Sequence, residues 1–191
     1  MEGGYMDMIA LLEECPVIAA IKDETGLQKC LSIDKPLVFV LYGSVISIPD
    51  IVARLKTAGK TVFVDMDLLD GLSAREAAVD YLHSATSADG VISTRASLVR
   101  RAAGLGMGTI YRTFLLDSMA LASLERSAAL AGPDCIEILP GLMPKMIAHL
   151  ACTQPRPIIA SGLIADKEDV LTALRAGASA ISSTNPAVWA L

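Results

Sequence analysis

Eight short apolar runs punctuate the chain, at residues 17–21, 37–41, 61–65, 90–92, 108–112, 135–139, 157–160 and 179–182. Most are β-branched and continuous rather than alternating, the pattern of parallel strands covered on both faces. Helical signals separate them. Ser73-Ala-Arg-Glu76 reads as a capping box with Ser73 at the N-cap. Asp117-Ser118 opens an Ala/Leu stretch that stops at Gly132-Pro133, and residues 166–176 stop at Gly177. Pro49, Pro144 and Pro186 each fall near a helix start, where a missing N–H costs little. Strand and helix alternating throughout implies parallel pairing with right-handed crossovers.

Eight such units predict an α/β chain folded as a single, compact (β/α)8 TIM-type barrel over residues 1–191, with lean loops because the chain is short for that fold. Residues 1–14 read as a short leading helix that plugs the barrel bottom. An open doubly wound sheet is the alternative, but no GxGxxG or P-loop follows the first strand. No linker, charge block or low-complexity segment marks an internal boundary.

Composition agrees with a large aliphatic core. The chain is 53% apolar but only 4% aromatic, so Ala, Val, Ile and Leu must fill the interior. No apolar run approaches the ~20 residues of a membrane span, and no basic segment precedes the first apolar stretch as in a signal peptide. Cys15, Cys30, Cys135 and Cys152 form no CxxC pair and read as buried, reduced thiols, which places the protein in the cytoplasm. The net charge of −5 argues against bulk attraction to nucleic acid while leaving room for a local basic patch.

In a barrel, chemistry collects where strands give way to the following loops. Those positions hold Lys22-Asp23, Asp65-Met66-Asp67, Arg112 and Glu137. Asp65 and Asp67 are two apart, so on a strand they share a face with Phe63. Lys22, Arg112 and Glu137 can converge with them. Two readings stay open: an ion-pair ring closing the barrel top, or a polar pocket for a hydroxylated ligand. Glu137 is the sharper signal, a carboxylate inside Ile136-Glu-Ile138. His83 and His149 lie in predicted helices, so no zinc set or Ser/His/Asp constellation emerges, and carboxylates alone are a weak magnesium signal. No metal, cofactor or catalytic set is therefore assigned.

The seventh and eighth loops carry the other signal. Ser161-Gly162-Leu163 allows close backbone approach, and Ser182-Ser183-Thr184-Asn185 precedes Pro186. A short helix over 186–190 would turn its N-terminal amides toward an anion, with hydroxyls as further donors. These are the loops that hold phosphate in many barrels. The plainer alternative is N-capping by Thr184 or Asn185. The candidate phosphate-binding residues are Ser161, Gly162, Leu163, Ser183 and Thr184.

Several blocks carry a family resemblance: "VFVDMDLLDGLS" (62–73), "DGVISTRASLVRRA" (89–102), "TIYRTFLLDS" (109–118), "IEILPGLMPK" (136–145), and "IIASGL" with "AGASAISSTNPAVW". Over residues 17–189 the chain resembles the glycerol uptake operon antiterminators, glycerol-3-phosphate responsive regulators of bacteria. The resemblance implies a (β/α)8 barrel that binds glycerol-3-phosphate or a similar phosphorylated polyol and acts on leader mRNA. It puts the phosphate at Ser161, Gly162, Ser183 and Thr184, and the polar pocket at Lys22, Asp67, Arg112 and Glu137. Asp65, Ser161 and Tyr111 depart from the pattern, standing where His, Gly and a Gln-like residue are expected. An RNA-binding face would draw on Arg95, Arg100 and Arg101, the one dense group of cations. The alternatives are a barrel isomerase, aldolase or epimerase on a small phosphorylated substrate, or a phosphate-binding module that assembles with partner proteins. Oligomerisation stays open.

Overall fold

A computed structural model describes residues 7–191. In chain order the elements are α1 Met8–Glu14, β1 Val17–Ile21, α2 Glu24–Leu31, β2 Leu37–Val40, α3 Ile48–Thr57, β3 Thr61–Asp65, α4 Glu76–Ala85, β4 Gly90–Ser93, α5 Ala96–Gly104, β5 Gly108–Phe114, α6 Ser118–Ala131, β6 Cys135–Leu139, α7 Pro144–Thr153, β7 Ile158–Ser161, α8 Lys167–Arg175, β8 Ala180–Ser183 and α9 Pro186–Trp189. The strands pair in parallel in sequence order, and β8 returns to β1, so the sheet closes into a (β/α)8 barrel. The open-sheet alternative is thereby excluded.

Strand periodicity divides each strand's side chains between two cores. Ala19, Ile21, Val38, Val40, Val62 and Val64 join Leu55, Val79 and Leu82 in a cluster between barrel and helices. Ile18, Ala20, Phe39, Phe63, Ile92, Ile110, Cys135, Ile159 and Ala180 fill the lumen. Met8, Leu12 and Cys15 belong to that same cluster, so α1 packs onto the lumen as the sequence suggested. The part of that expectation at residues 1–6 lies outside the described residues. Phe63 is accommodated because two neighbouring strands present glycine beside it. A Cβ at Gly90 would lie 2.2 Å from Phe63 Cε1, and one at Gly108 would lie 2.5 Å from Phe63 Cζ.

Helix starts follow local chemistry. Asp7, Asp23, Asp117 and Asp166 cap α1, α2, α6 and α8 by accepting from amides of the first turn. Gly132 ends α6 in the left-handed conformation. The capping box at Ser73 does not form. The helix begins only at Glu76, with Arg75 at the N-cap and no side-chain cap bond. The Arg75 amide is tied to the Ser73 carbonyl at 2.7 Å, and the loop before it is stitched to residues 43–45 through Asp70. That turn holds the chain out of helical conformation until residue 76. Cys15, Cys30 and Cys135 are buried free thiols, and burial pushes Cys30 up to about 11 and Cys135 up to about 12. Cys152 corrects the sequence reading, because it is exposed. Among the described residues no helix is long and apolar enough to cross a membrane.

Candidate functional site

The lumen changes character near the carboxyl ends of the strands. Stepping two residues along each inward column, Phe63 gives way to Asp65, Ile110 to Arg112, Cys135 to Glu137, Ile159 to Ser161 and Ala180 to Ser182. Asp65, Arg112, Glu137, Ser161 and Ser182 are all buried. Polar groups removed from water must satisfy one another, and these do. Arg112 Nε donates to Glu137 Oε2 at 2.6 Å, and Arg112 Nη1 donates to Asp65 Oδ2. Ser161 Oγ donates to Glu137 Oε1 at 2.5 Å, while Ser182 Oγ lies 3.1 Å from the same oxygen and 2.7 Å from Ser161 Oγ. One guanidinium therefore serves two carboxylates, whose charges outweigh burial and keep Arg112 protonated. Burial pushes the Asp65 carboxyl up to about 6, against the opposing pull of Arg112 and of the Asp67 amide.

A cavity of about 420 Å³ opens above this floor. Arg112, Glu137, Ser161 and Ser182 line it together with Gly162, Leu163, Ser183, Thr184 and Asn185. All five residues assigned to phosphate line it together, but their donors divide. The Ser161 hydroxyl is spent on Glu137, and the Ser183 hydroxyl donates to the Ile164 carbonyl at 3.0 Å. The expected helix-terminal amides are unavailable as well. Pro186 has no N–H, the Ala187 amide donates to Asn185 Oδ1 at 3.0 Å, and α9 is a single turn. Capping by Asn185, the plainer alternative, is what this helix start does. The amides of Gly162, Leu163 and Thr184 and the Thr184 hydroxyl make no hydrogen bond to protein among the described residues. Gly162 and Leu163 have φ of 78° and 62°. A left-handed leucine costs roughly 1–2 kcal/mol, so the loop holds a strained turn beside a row of unspent donors.

Three residues expected in the polar pocket do not line the cavity: Asp65 lies behind Arg112, and Lys22 and Asp67 stand elsewhere. Lys22 is exposed and lines a neighbouring cavity with Asp23, Lys29 and Trp189. Asp67 lies beyond the end of β3 and so does not share the inward face of Asp65. Its carboxylate accepts from Ser93 Oγ at 3.0 Å and from Thr94 N and Oγ1 at 2.6 and 2.7 Å, and Arg95 Nε approaches it at 3.5 Å. Ser182 was missed as a member of the floor. Alternation with the apolar residues Ala180 and Ile181 marks it as inward, whereas Ser183 falls on the outer face. The arginines proposed for RNA do not form a free patch, since Arg101 pairs with Asp80 at 2.6 Å and Arg95 with Asp67. Arg100 is exposed on α5. His83 and His149 are exposed on α4 and α7. No group of three or more potential metal ligands occurs among the described residues.

Comparison with known proteins agrees with this architecture. The sequence profile described as glycerol-3-phosphate responsive antiterminator matches residues 17–189. The Escherichia coli protein YgcP is 42% identical over 186 residues, covering 97% of each chain. The crystal structure of a glycerol uptake operon antiterminator regulatory protein from Listeria monocytogenes superposes with a TM-score of 0.86 at 29% identity, over 97% of this chain and 96% of that one. An antiterminator-related protein from Thermotoga maritima does so with a TM-score of 0.82 at 31% identity, over 93% and 99%.

Proposed function

The chain belongs to the glycerol-3-phosphate responsive antiterminator family, and on that premise we propose that its cavity senses glycerol-3-phosphate and that the liganded barrel acts on a leader transcript. The row of unspent donors on loops seven and eight carries this reading. Gly162, Leu163 and Thr184, whose amides, with the Thr184 hydroxyl, have no protein partner among the described residues, line one cavity together with Arg112, Glu137, Ser161 and Ser182. Amide and hydroxyl donors without protein partners are the chemistry that a phosphate dianion satisfies. The glycerol moiety then reaches the floor, where Arg112 retains N–H groups beyond the two given to carboxylates.

Arg95, Arg100 and Arg101 supply the cations for RNA. The carboxylate partners do not disqualify Arg95 and Arg101, because their side chains are 56% and 39% exposed. Exposed pairs of this kind contribute little and exchange readily for phosphate. Gel-shift titrations with the leader of the neighbouring transcript, with and without glycerol-3-phosphate, test this. Ligand-dependent retardation is expected, with a log–log salt slope of about −2 for three neutralised phosphates on a single strand. Arg100→Glu with Arg101→Glu is expected to abolish it and leave ligand binding unchanged. Absence of ligand-dependent retardation at low salt would contradict the RNA assignment.

A further inference from the structure

The floor of the cavity carries more negative than positive charge. Arg112 from β5 faces Asp65 from β3 and Glu137 from β6, one cation against two carboxylates, all nearly withdrawn from solvent. The neighbouring strands β2 and β4 turn Phe39 and Ile92 inward and add no charge. The nearest further charges are Asp67, whose amide donates to Asp65 Oδ1 at 2.9 Å, and Arg95, which faces Asp67. Glu137 is saturated by Arg112, Ser161 and Ser182. Asp65 does not line the cavity; it is reached only through Arg112.

A ligand whose phosphate sits on loops seven and eight therefore presents its far end to a guanidinium already claimed by two carboxylates. A hydroxyl there can accept from the remaining Arg112 N–H groups without disturbing either pair. A carboxylate would be the third anion around one cation. We infer that Asp65, acting through Arg112, makes the cavity selective for phosphorylated ligands with an uncharged, hydroxylated far end and against those ending in a carboxylate. This rests on the reading of the cavity as a phosphate site and adds to it a specificity-determining residue outside the cavity wall. A like charge about 8 Å away, at an effective dielectric of about 20, weakens binding by more than tenfold.

The probes are sn-glycerol-3-phosphate and 3-phosphoglycerate, titrated calorimetrically into the full chain and into Asp65→Asn at pH 8 and pH 5.5. The quantity read is the ratio of the two dissociation constants, in which titration of the shared phosphate group largely cancels. In the parent, 3-phosphoglycerate is expected to bind at least tenfold more weakly at pH 8. The ratio should fall several-fold at pH 5.5, where Asp65 takes up its proton. Asp65→Asn should lower the ratio at least tenfold at pH 8 and leave it flat with pH. If Asp65→Asn does not fold, the parent's pH series decides alone, and a flat ratio overturns the inference. Binding of glycerol-3-phosphate with unaltered selectivity in a folded Asp65→Asn overturns this inference and spares the phosphate site. No binding of either probe to the parent overturns both.

Discussion

At pH 8, Arg112→Met is expected to lose about 3–5 kcal/mol of unfolding free energy, and a substantial part of that loss should return by pH 5. Methionine fills the space of the arginine stem but leaves Asp65 and Glu137 facing each other, 1% and 0% exposed, without their cation. Breaking a buried pair on one side costs more than the pair contributed, because a desolvated charge remains. The pH dependence follows from Asp65. In the parent its folded value lies near 6, above the ordinary 3.8. Its contribution is therefore fully present below about 4 and is lost as the pH rises through about 6. Without Arg112 the carboxyl holds its proton to higher pH, so the variant regains stability on acidification over a wider window. Urea denaturation at pH 5 and pH 8 measures both. A loss under 1 kcal/mol, or one that is the same at both pH values, would contradict the description of the floor as a mutually dependent buried cluster.

Phe63→Ala should cost about 3–5 kcal/mol, in the range for deleting a buried aromatic ring. Phe63 is fully buried at the centre of the lumen, 6.2 Å from the Phe39 ring, in space opened by Gly90 and Gly108. Gly90→Ala should be destabilising by about 1–3 kcal/mol or more through overpacking, because its Cβ meets the Phe63 ring at 2.2 Å and the Gly108 carbonyl oxygen at 2.6 Å. Residues sharing one volume do not act additively. In the Phe63→Ala background the ring clash is gone and only the carbonyl contact persists, so Gly90→Ala should cost less there than in the parent. Additive losses in the double variant would mean that the glycine is not there to admit the ring.

The barrel was legible because its strands are covered on both faces and so read as continuous apolar runs. Val17–Ile21, Thr61–Asp65 and Cys135–Leu139 were read to the residue. The others differ by one or two residues at one end, or, for the seventh and eighth strands, by one residue at both ends. The polar floor was partly legible, since Glu137 inside an apolar strand and Arg112 at a strand end are costly unless paired. Lys22 and Asp67 were misplaced for a common reason. Period-two alternation holds only within a strand, and both residues lie just past one, where the chain turns away. The helix-terminus account of phosphate binding failed on another local competition, because Asn185 satisfies the amide that an anion was expected to take. The unspent loop amides could not be read from residue types, since they depend on backbone conformation at Gly162 and Leu163. Asp65 and Ser161 meet in one hydrogen-bonded network through Glu137 and Arg112. That coupling is a fact of barrel geometry, since the two lie 96 residues apart.

The central claim is that the cavity between the polar floor and loops seven and eight receives a phosphorylated polyol. Thermal unfolding with sn-glycerol-3-phosphate, with glycerol and without ligand tests it most directly. A ligand that binds only the folded chain stabilises it by about 2.7 kcal/mol at a hundredfold excess over its dissociation constant, roughly 5–10 °C in melting temperature for a chain of this size. That shift is expected with glycerol-3-phosphate, is not expected with glycerol, and should be lost in Thr184→Asp, whose carboxylate would repel the phosphate and occupy its donors. An unchanged melting temperature at tens of millimolar glycerol-3-phosphate, or a shift that survives Thr184→Asp at full size, would contradict it.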